Sequence, residues 1–167
     1  MGGCLGPLGP QKRAGNITRF AEFNFAMDPD AANYVLRSGV PVVLLPMDAT
    51  HQLVFTRARA KQAEARWPGQ TGSNLVTMLT AAEHLDRPKF GVDGAVIHDP
   101  QVMIYLLSPG LYKGRRTGVK VNTDARSEQC GRLLEYDSAE SHVLLIDTLV
   151  DPNAAFEIML EAIRALL

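Results

Sequence analysis

Three Asp-Pro pairs, Asp28-Pro29, Asp99-Pro100 and Asp151-Pro152, punctuate the chain, and each is followed by a stretch of helical periodicity. An aspartate at the N-cap accepts from the free amides of a helix's first turn, and a proline next to it gives up no intrahelical donor. Three helix starts are thereby marked. The first helix is predicted from about Pro29 to Ser38, stopping at Gly39, with Ala32, Val35 and Leu36 turned inward. In the last, Phe156, Met159, Leu160, Ile163 and Leu167 form one apolar stripe. Between them, VPVVLLPMD (Val40 to Asp48) is short, nearly all apolar and interrupted by prolines, as suits a strand buried on both faces. A helix leading through Gly39 into such a strand is an αβ unit. The expected class is therefore α/β, with a central, mainly parallel sheet flanked by helices.

Segments from about Leu53 to Trp67 and from Ser73 to Leu85 read as helices separated by the break at 68–72. After a helix starting at Pro100, the runs TGVKVNT, GRLLEYD and SHVLLIDTL read as strands that precede the terminal helix. No repeat, low-complexity tract or linker divides the chain, so residues 1–167 are expected to form one domain. Its 46% hydrophobic fraction suffices for a core.

Charge narrows the partners. Seventeen basic and eighteen acidic residues leave a net charge of -1 without a like-charge block, which argues against nucleic acid. No apolar run approaches the roughly 20 residues of a membrane span, and the first residues lack the layout of a signal peptide. Cys4 and Cys130 make no CxxC pair, which argues against zinc and against a disulfide scaffold, and fits a reducing cytoplasm. Gly2 and Cys4 imitate a doubly acylated N-terminus, but position 6 is glycine where that motif wants Ser or Thr. Asn16-Ile17-Thr18 is a formal glycosylation sequon without a secretion signal to serve it.

Two constellations carry chemistry. Asn16, Glu22 and Asn24 set a carboxylate between amides, and such a group can satisfy the vicinal hydroxyls of a furanose, each of them donor and acceptor. In an extended segment Glu22 and Asn24 would face the same way. On spacing alone the favoured reading is ordinary loop residues with an Asn-Ile-Thr turn. His98-Asp99 pairs a group that can donate a proton near neutrality with one that can bind a hard cation. On the local pattern alone Asp99 is one more N-cap, like Asp28 and Asp151, and His98 a structural histidine. His51 and His142 read as structural, and Lys113, Arg115, Arg116 and Lys120 as a solvated surface. No Gly-x-Ser-x-Gly elbow, Walker lysine, His-Glu-x-x-His or Gly-x-Gly-x-x-Gly is present, so serine hydrolase, nucleoside triphosphatase and dehydrogenase readings lack support.

In GNITRFAEFN (Gly15 to Asn24) followed by DGAVIHDP (Asp93 to Pro100), the chain resembles the inosine-uridine-preferring nucleoside hydrolases, from Met1 almost to Leu167. The resemblance implies the C-terminal part of a Rossmann-like nucleoside hydrolase domain, which splits purine or pyrimidine ribonucleosides into ribose and free base with a bound calcium ion. By that likeness Asn16, Glu22 and Asn24 hold the ribose hydroxyls and Met1 lies beside the sugar. His98 protonates the leaving base, Asp99 coordinates calcium, and His84 falls in a region that contributes base contacts. The likeness begins inside the family's pattern, without the aspartate-rich calcium motif that opens it, and so implies an N-terminal complement. It also implies a homo-oligomer in the complete form and a place in nucleoside salvage or catabolism. The alternative is a non-catalytic ribose- or nucleoside-binding remnant acting as an interaction module.

Overall fold

In the computed structural model, which describes residues 1–138 and 141–167, eight α-helices and seven strands are found among the described residues. Helices α1 (Phe23–Met27) and α2 (Pro29–Leu36) lead to strand β1 (Val42–Leu44), short helix α3 (Met47–Thr50) and strand β2 (Val54–Phe55). Helices α4 (Arg57–Arg66), α5 (Gly69–Thr80) and α6 (Glu83–Phe90) precede β3 (Ala95–Val96) and α7 (Pro100–Leu107). Strands β4 (Tyr112–Arg116), β5 (Gly118–Val121), β6 (Leu133–Tyr136) and β7 (Val143–Leu149) then run to the final helix α8 (Pro152–Arg164).

The expected α/β class holds, but the sheet is mixed. Strand β7 lies between β1, to which it is parallel, and β4, to which it is antiparallel. Pairs β2–β3 and β5–β6 form two small antiparallel ribbons. Among the described residues β1 is an edge strand, and it is not buried on both faces: Val43 stands 43% exposed while Leu44 is buried. Likewise Leu36 of α2 is buried, whereas Val35, expected inward, is exposed.

Two of the three Asp-Pro pairs cap as expected. Asp28 accepts from the Ala31 amide at 2.9 Å, and Asp151 accepts from those of Asn153 and Ala154. Asp99 does not: its backbone is already helical and its carboxylate makes no capping bond. The main core joins α8, through Phe156, Met159 and Leu160, to Trp67, Phe55, Leu53 and Ile146. Trp67 donates its indole N–H to the Leu160 carbonyl at 3.0 Å, so the largest buried side chain also has its polar atom satisfied. Leu167, counted in the apolar stripe, lies beyond the helix and is 47% exposed.

The expected helix from Leu53 begins later, at Arg57. Leu53 to Phe55 are apolar and buried or half-buried, and they pair through β2, after which Thr56 caps α4 by accepting from the Arg59 amide. The helix expected to end at Leu85 is instead two, parted near Ala81 and Ala82, with α6 continuing through Pro88 to Phe90.

Candidate active site

The chain's first residues run beside the carboxyl end of β1. Gly2 donates to the Leu45 carbonyl at 3.2 Å, and the Met47 amide donates to the Gly3 carbonyl at 2.9 Å. The Asp48 carboxylate accepts from the Leu5 and Gly6 amides at 2.9 and 2.8 Å and closes this strap onto α3. Cys4 sits inside it, fully buried, and burial followed by the nearby Asp48 charge pushes its thiol well above the usual range. Ligands of open α/β sheets bind outside the carboxyl ends of parallel strands, which is where this strap lies.

Glu22 is the keystone of the strap. It is 2% exposed, and both its oxygens accept from backbone: Oε2 from Gly3 at 2.9 Å and Phe25 at 3.4 Å, Oε1 from Asn24 at 3.0 Å. It is therefore the N-cap of α1, and the segment is not extended as the spacing argument supposed. Asn24, exposed on α1, turns its amide to the carbonyl of Met1 at 3.2 Å, with the Met1 sulfur at 3.8 Å. Asn16 Oδ1 accepts from the Phe23 amide at 2.9 Å. Met1, Asn16, Glu22 and Asn24 are thus gathered around the first turn of α1.

Close approach here demands glycine. Gly3 has φ +74, and a Cβ would press on Phe25 at 2.8 Å and on Leu133 at 3.0 Å. At Gly15 a Cβ would meet the Ala21 carbonyl oxygen at 2.1 Å, so the loop bearing Asn16 can fold back on Ala21 only without a side chain.

His98 follows β3 and points inward. Its Nδ1 lies 2.7 Å from Oγ1 of Thr50, a residue with no exposure at the end of α3. Burial lowers the His98 pKa, while the Asp86, Asp99 and Glu22 charges act the other way. Thr50 thus joins His98 to α3, the helix onto which the strap closes. Asp99, adjacent in sequence, is exposed and, with Met103, Leu107, Ile158 and Ile163, lines an apolar groove between α7 and α8. His84 is exposed on α6, its Nδ1 2.5 Å from the Ala81 carbonyl, in a shallow pocket with Arg57, Glu83 and Arg87 that shares no lining residue with the strap.

Among the described residues no three His, Cys, Asp or Glu side chains gather as a metal site. Calcium asks for roughly six to eight oxygens. One exposed carboxylate, Asp99, does not meet that requirement.

Sequence reasoning passed over Thr50 and Gln101, and it left His51 as structural. Gln101 is fully buried, and its amide donates to the carbonyls of Thr50 at 2.7 Å and Ile97 at 2.5 Å, tying α3 to the residue before His98. A polar residue one turn beyond His98 on an otherwise apolar helix face was the available signal. The His51 ring stands edge-on to Phe90, 5.6 Å from the ring of His98, and its buried Nε2 has no partner among the described residues.

Burial, and then the His98 charge, pull His51 down from 6.5 to about 3. The unfolded chain therefore takes up this proton first, and stability contributed by neutral His51 is lost as pH falls from about 6.5 towards 3. By about pH 5 the loss amounts to roughly 2 kcal/mol. Urea unfolding at about pH 7.5 and about pH 5 should show His51→Leu losing less stability than the parent by that amount; equal losses in the two proteins would discard this origin.

Fold and site together define an α/β scaffold whose polar groups collect at the carboxyl end of a parallel strand. The family profile for inosine-uridine preferring nucleoside hydrolase matches residues 1–161. The chain belongs to that family. It is 33% identical over 161 residues to an uncharacterized protein of Schizosaccharomyces pombe, covering 95% of this chain and 51% of that one. It is 34% identical over 142 residues to a pyrimidine-specific ribonucleoside hydrolase of Klebsiella pneumoniae, covering 81% and 42%. Among solved structures, a purine-preferring ribonucleoside hydrolase from Gardnerella vaginalis superposes with TM-score 0.82 at 22% identity, covering all of this chain and 52% of that one. A plant nucleoside hydrolase gives 0.80 at 22% identity, covering 98% and 52%. These two likenesses are of fold. The chain spans about half the length of the relatives it matches.

Proposed function

We propose that this chain forms the ribose-holding and proton-donating half of a ribonucleoside hydrolase. The observation that carries the reading is the convergence of Met1, Asn16, Glu22 and Asn24 on the first turn of α1, with His98 bonded to Thr50 of α3, the helix onto which the strap also closes. Cleavage of an N-glycosidic bond passes through a cationic, oxocarbenium-like sugar and expels a base that leaves poorly as an anion. In this reading Asn24 and the one acceptor position left on Glu22 Oε1 hold ribose hydroxyls, Asn16 braces the turn, and Met1 packs against the sugar. His98 delivers a proton to the departing base. His84 is a base contact only if the complete enzyme brings another element over α6.

Calcium belongs to this reading as the metal of the complete enzyme, with Asp99 the one ligand contributed here. Its remaining oxygens, and a carboxylate to activate water, would be supplied from outside these 167 residues. The free Cys4 and Cys130 fit a reducing cytoplasm, and no described helix is long and apolar enough to cross a membrane. Family membership supports a ribonucleoside substrate, and with it a role in nucleoside salvage or catabolism by a homo-oligomer. The reading is tested by joining the chain to an N-terminal segment that carries the aspartate cluster and assaying ribose release from inosine and uridine with calcium present. Ribose release supports it. A folded, calcium-loaded joined enzyme that binds ribose analogues and releases no ribose would instead favour the non-catalytic nucleoside-binding module.

A further inference from the structure

We propose that Thr50 is the positioning residue that fixes which nitrogen of His98 exchanges a proton, leaving Nε2 as the transferring atom. The proposal rests on the reading of His98 as the acid that serves the leaving base. The Thr50 hydroxyl has two neighbours: Nδ1 of His98 at 2.7 Å and the Met47 carbonyl oxygen at 3.5 Å. A carbonyl can only accept, so a hydroxyl that donates to Met47 presents a lone pair to Nδ1, and Nδ1 must carry a hydrogen. The chain then runs from Nδ1–H to Thr50 Oγ1–H to the Met47 carbonyl. It is intact both when the ring is doubly protonated and after Nε2 has given its proton away. No step asks Thr50 to reverse its role.

The surroundings hold this arrangement in place. Thr50 has no exposure, so water does not compete for its hydroxyl. Gln101 grips the carbonyls of Thr50 and Ile97 with its side-chain amide, and its backbone N–H donates to the carbonyl of His98 at 3.2 Å. The two partners are thus anchored to a common residue on α7. No hydrogen bond from Nε2 of His98 is found among the described residues, and His98 is half-buried. His51, the other ring beside His98, has its own Nε2 unpartnered and offers Nδ1 no competing bond.

The test is the tautomer of neutral His98, read from two-bond proton–nitrogen NMR correlations of the 167-residue chain at one alkaline pH. The parent should show a single form with hydrogen on Nδ1. Thr50→Val removes the acceptor at nearly constant shape and should shift His98 to a mixture containing the Nε2–H form, while Thr50→Ser should keep the parent's form. A parent carrying hydrogen on Nε2 overturns the proposal without any substitution, as does a folded Thr50→Val chain with the parent's tautomer. In the joined enzyme, Thr50→Val should lower kcat on inosine about tenfold or more at unchanged KM and spare a nitrophenyl riboside. A tautomer that moves while inosine turnover does not would uphold the positioning and count against the acid role.

Discussion

Inosine hydrolysis by the joined enzyme should fall about a hundredfold or more in His98→Ala, while hydrolysis of a nitrophenyl riboside stays close to the parent's rate. The split follows from the leaving groups. A purine or pyrimidine departs poorly unless it is protonated, whereas a nitrophenolate is stable as an anion and needs no acid. His98 is held in a half-buried setting that resists charge, yet faces the opposing influence of Asp86, Asp99 and Glu22. Such a ring gives up its proton readily once the base begins to accumulate negative charge. The comparison is internal, because misfolding would depress both substrates together. Steady-state rates on the two substrates decide it: equal losses in a folded, calcium-loaded variant return His98 to a structural role. Under the proposed role of Asp99 as a calcium ligand, Asp99→Ala should instead slow both substrates alike.

Glu22→Ala should lower folding stability by about 3 kcal/mol, where Asn24→Ala costs less than about 0.5 kcal/mol. Removal of the carboxylate leaves the amides of Gly3, Asn24 and Phe25 without their acceptor, and Glu22 and Gly3 are buried. It also strips α1 of its cap. Asn24 is exposed and gives up only contacts to Met1. Both variants should weaken ribose analogues and slow turnover, because hydroxyl contacts act on bound sugar and strengthen in the transition state. Denaturant midpoints and analogue affinities, measured together, separate the roles. If Asn24→Ala binds ribose analogues as tightly as the parent, the sugar contact at that position is wrong. A Glu22→Ala protein of parental stability would contradict the keystone role.

Much of this arrangement was legible because it is local. The caps at Asp28 and Asp151, the stripe of Phe156, Met159 and Leu160, and the strands from Gly118, Leu133 and Val143 all follow from periodicity and turn chemistry within a few residues. What escaped depends on partners distant in sequence. Val54 and Phe55 leave the helical pattern because they pair with β3, some forty residues on. The same chemistry at three Asp-Pro pairs concealed that Asp99 enters its helix in a different backbone state and caps nothing. Glu22 was recognised for its carboxylate, but that both oxygens are engaged by the chain's own amides depends on Gly3, nineteen residues away. Thr50 had no signal of its own, since its meaning comes from His98, forty-eight positions on.

The burial of Cys4 gives the strap a built-in stopwatch. Thiolate is the reacting species in alkylation, and in the closed strap the Cys4 thiol is both inaccessible and held protonated. A maleimide can therefore capture Cys4 only during excursions in which residues 1–6 peel away from Asp48 and Glu22. The same excursions dismantle the Gly3 contact and displace Met1, so the capture rate counts how often the wall proposed to hold the sugar comes apart. Half-buried Cys130 supplies the reference reaction in the same tube. A ligand that seats on Glu22 and Asn24 should slow the first clock and leave the second running, which turns an inert side chain into a measure of site occupancy that requires no turnover.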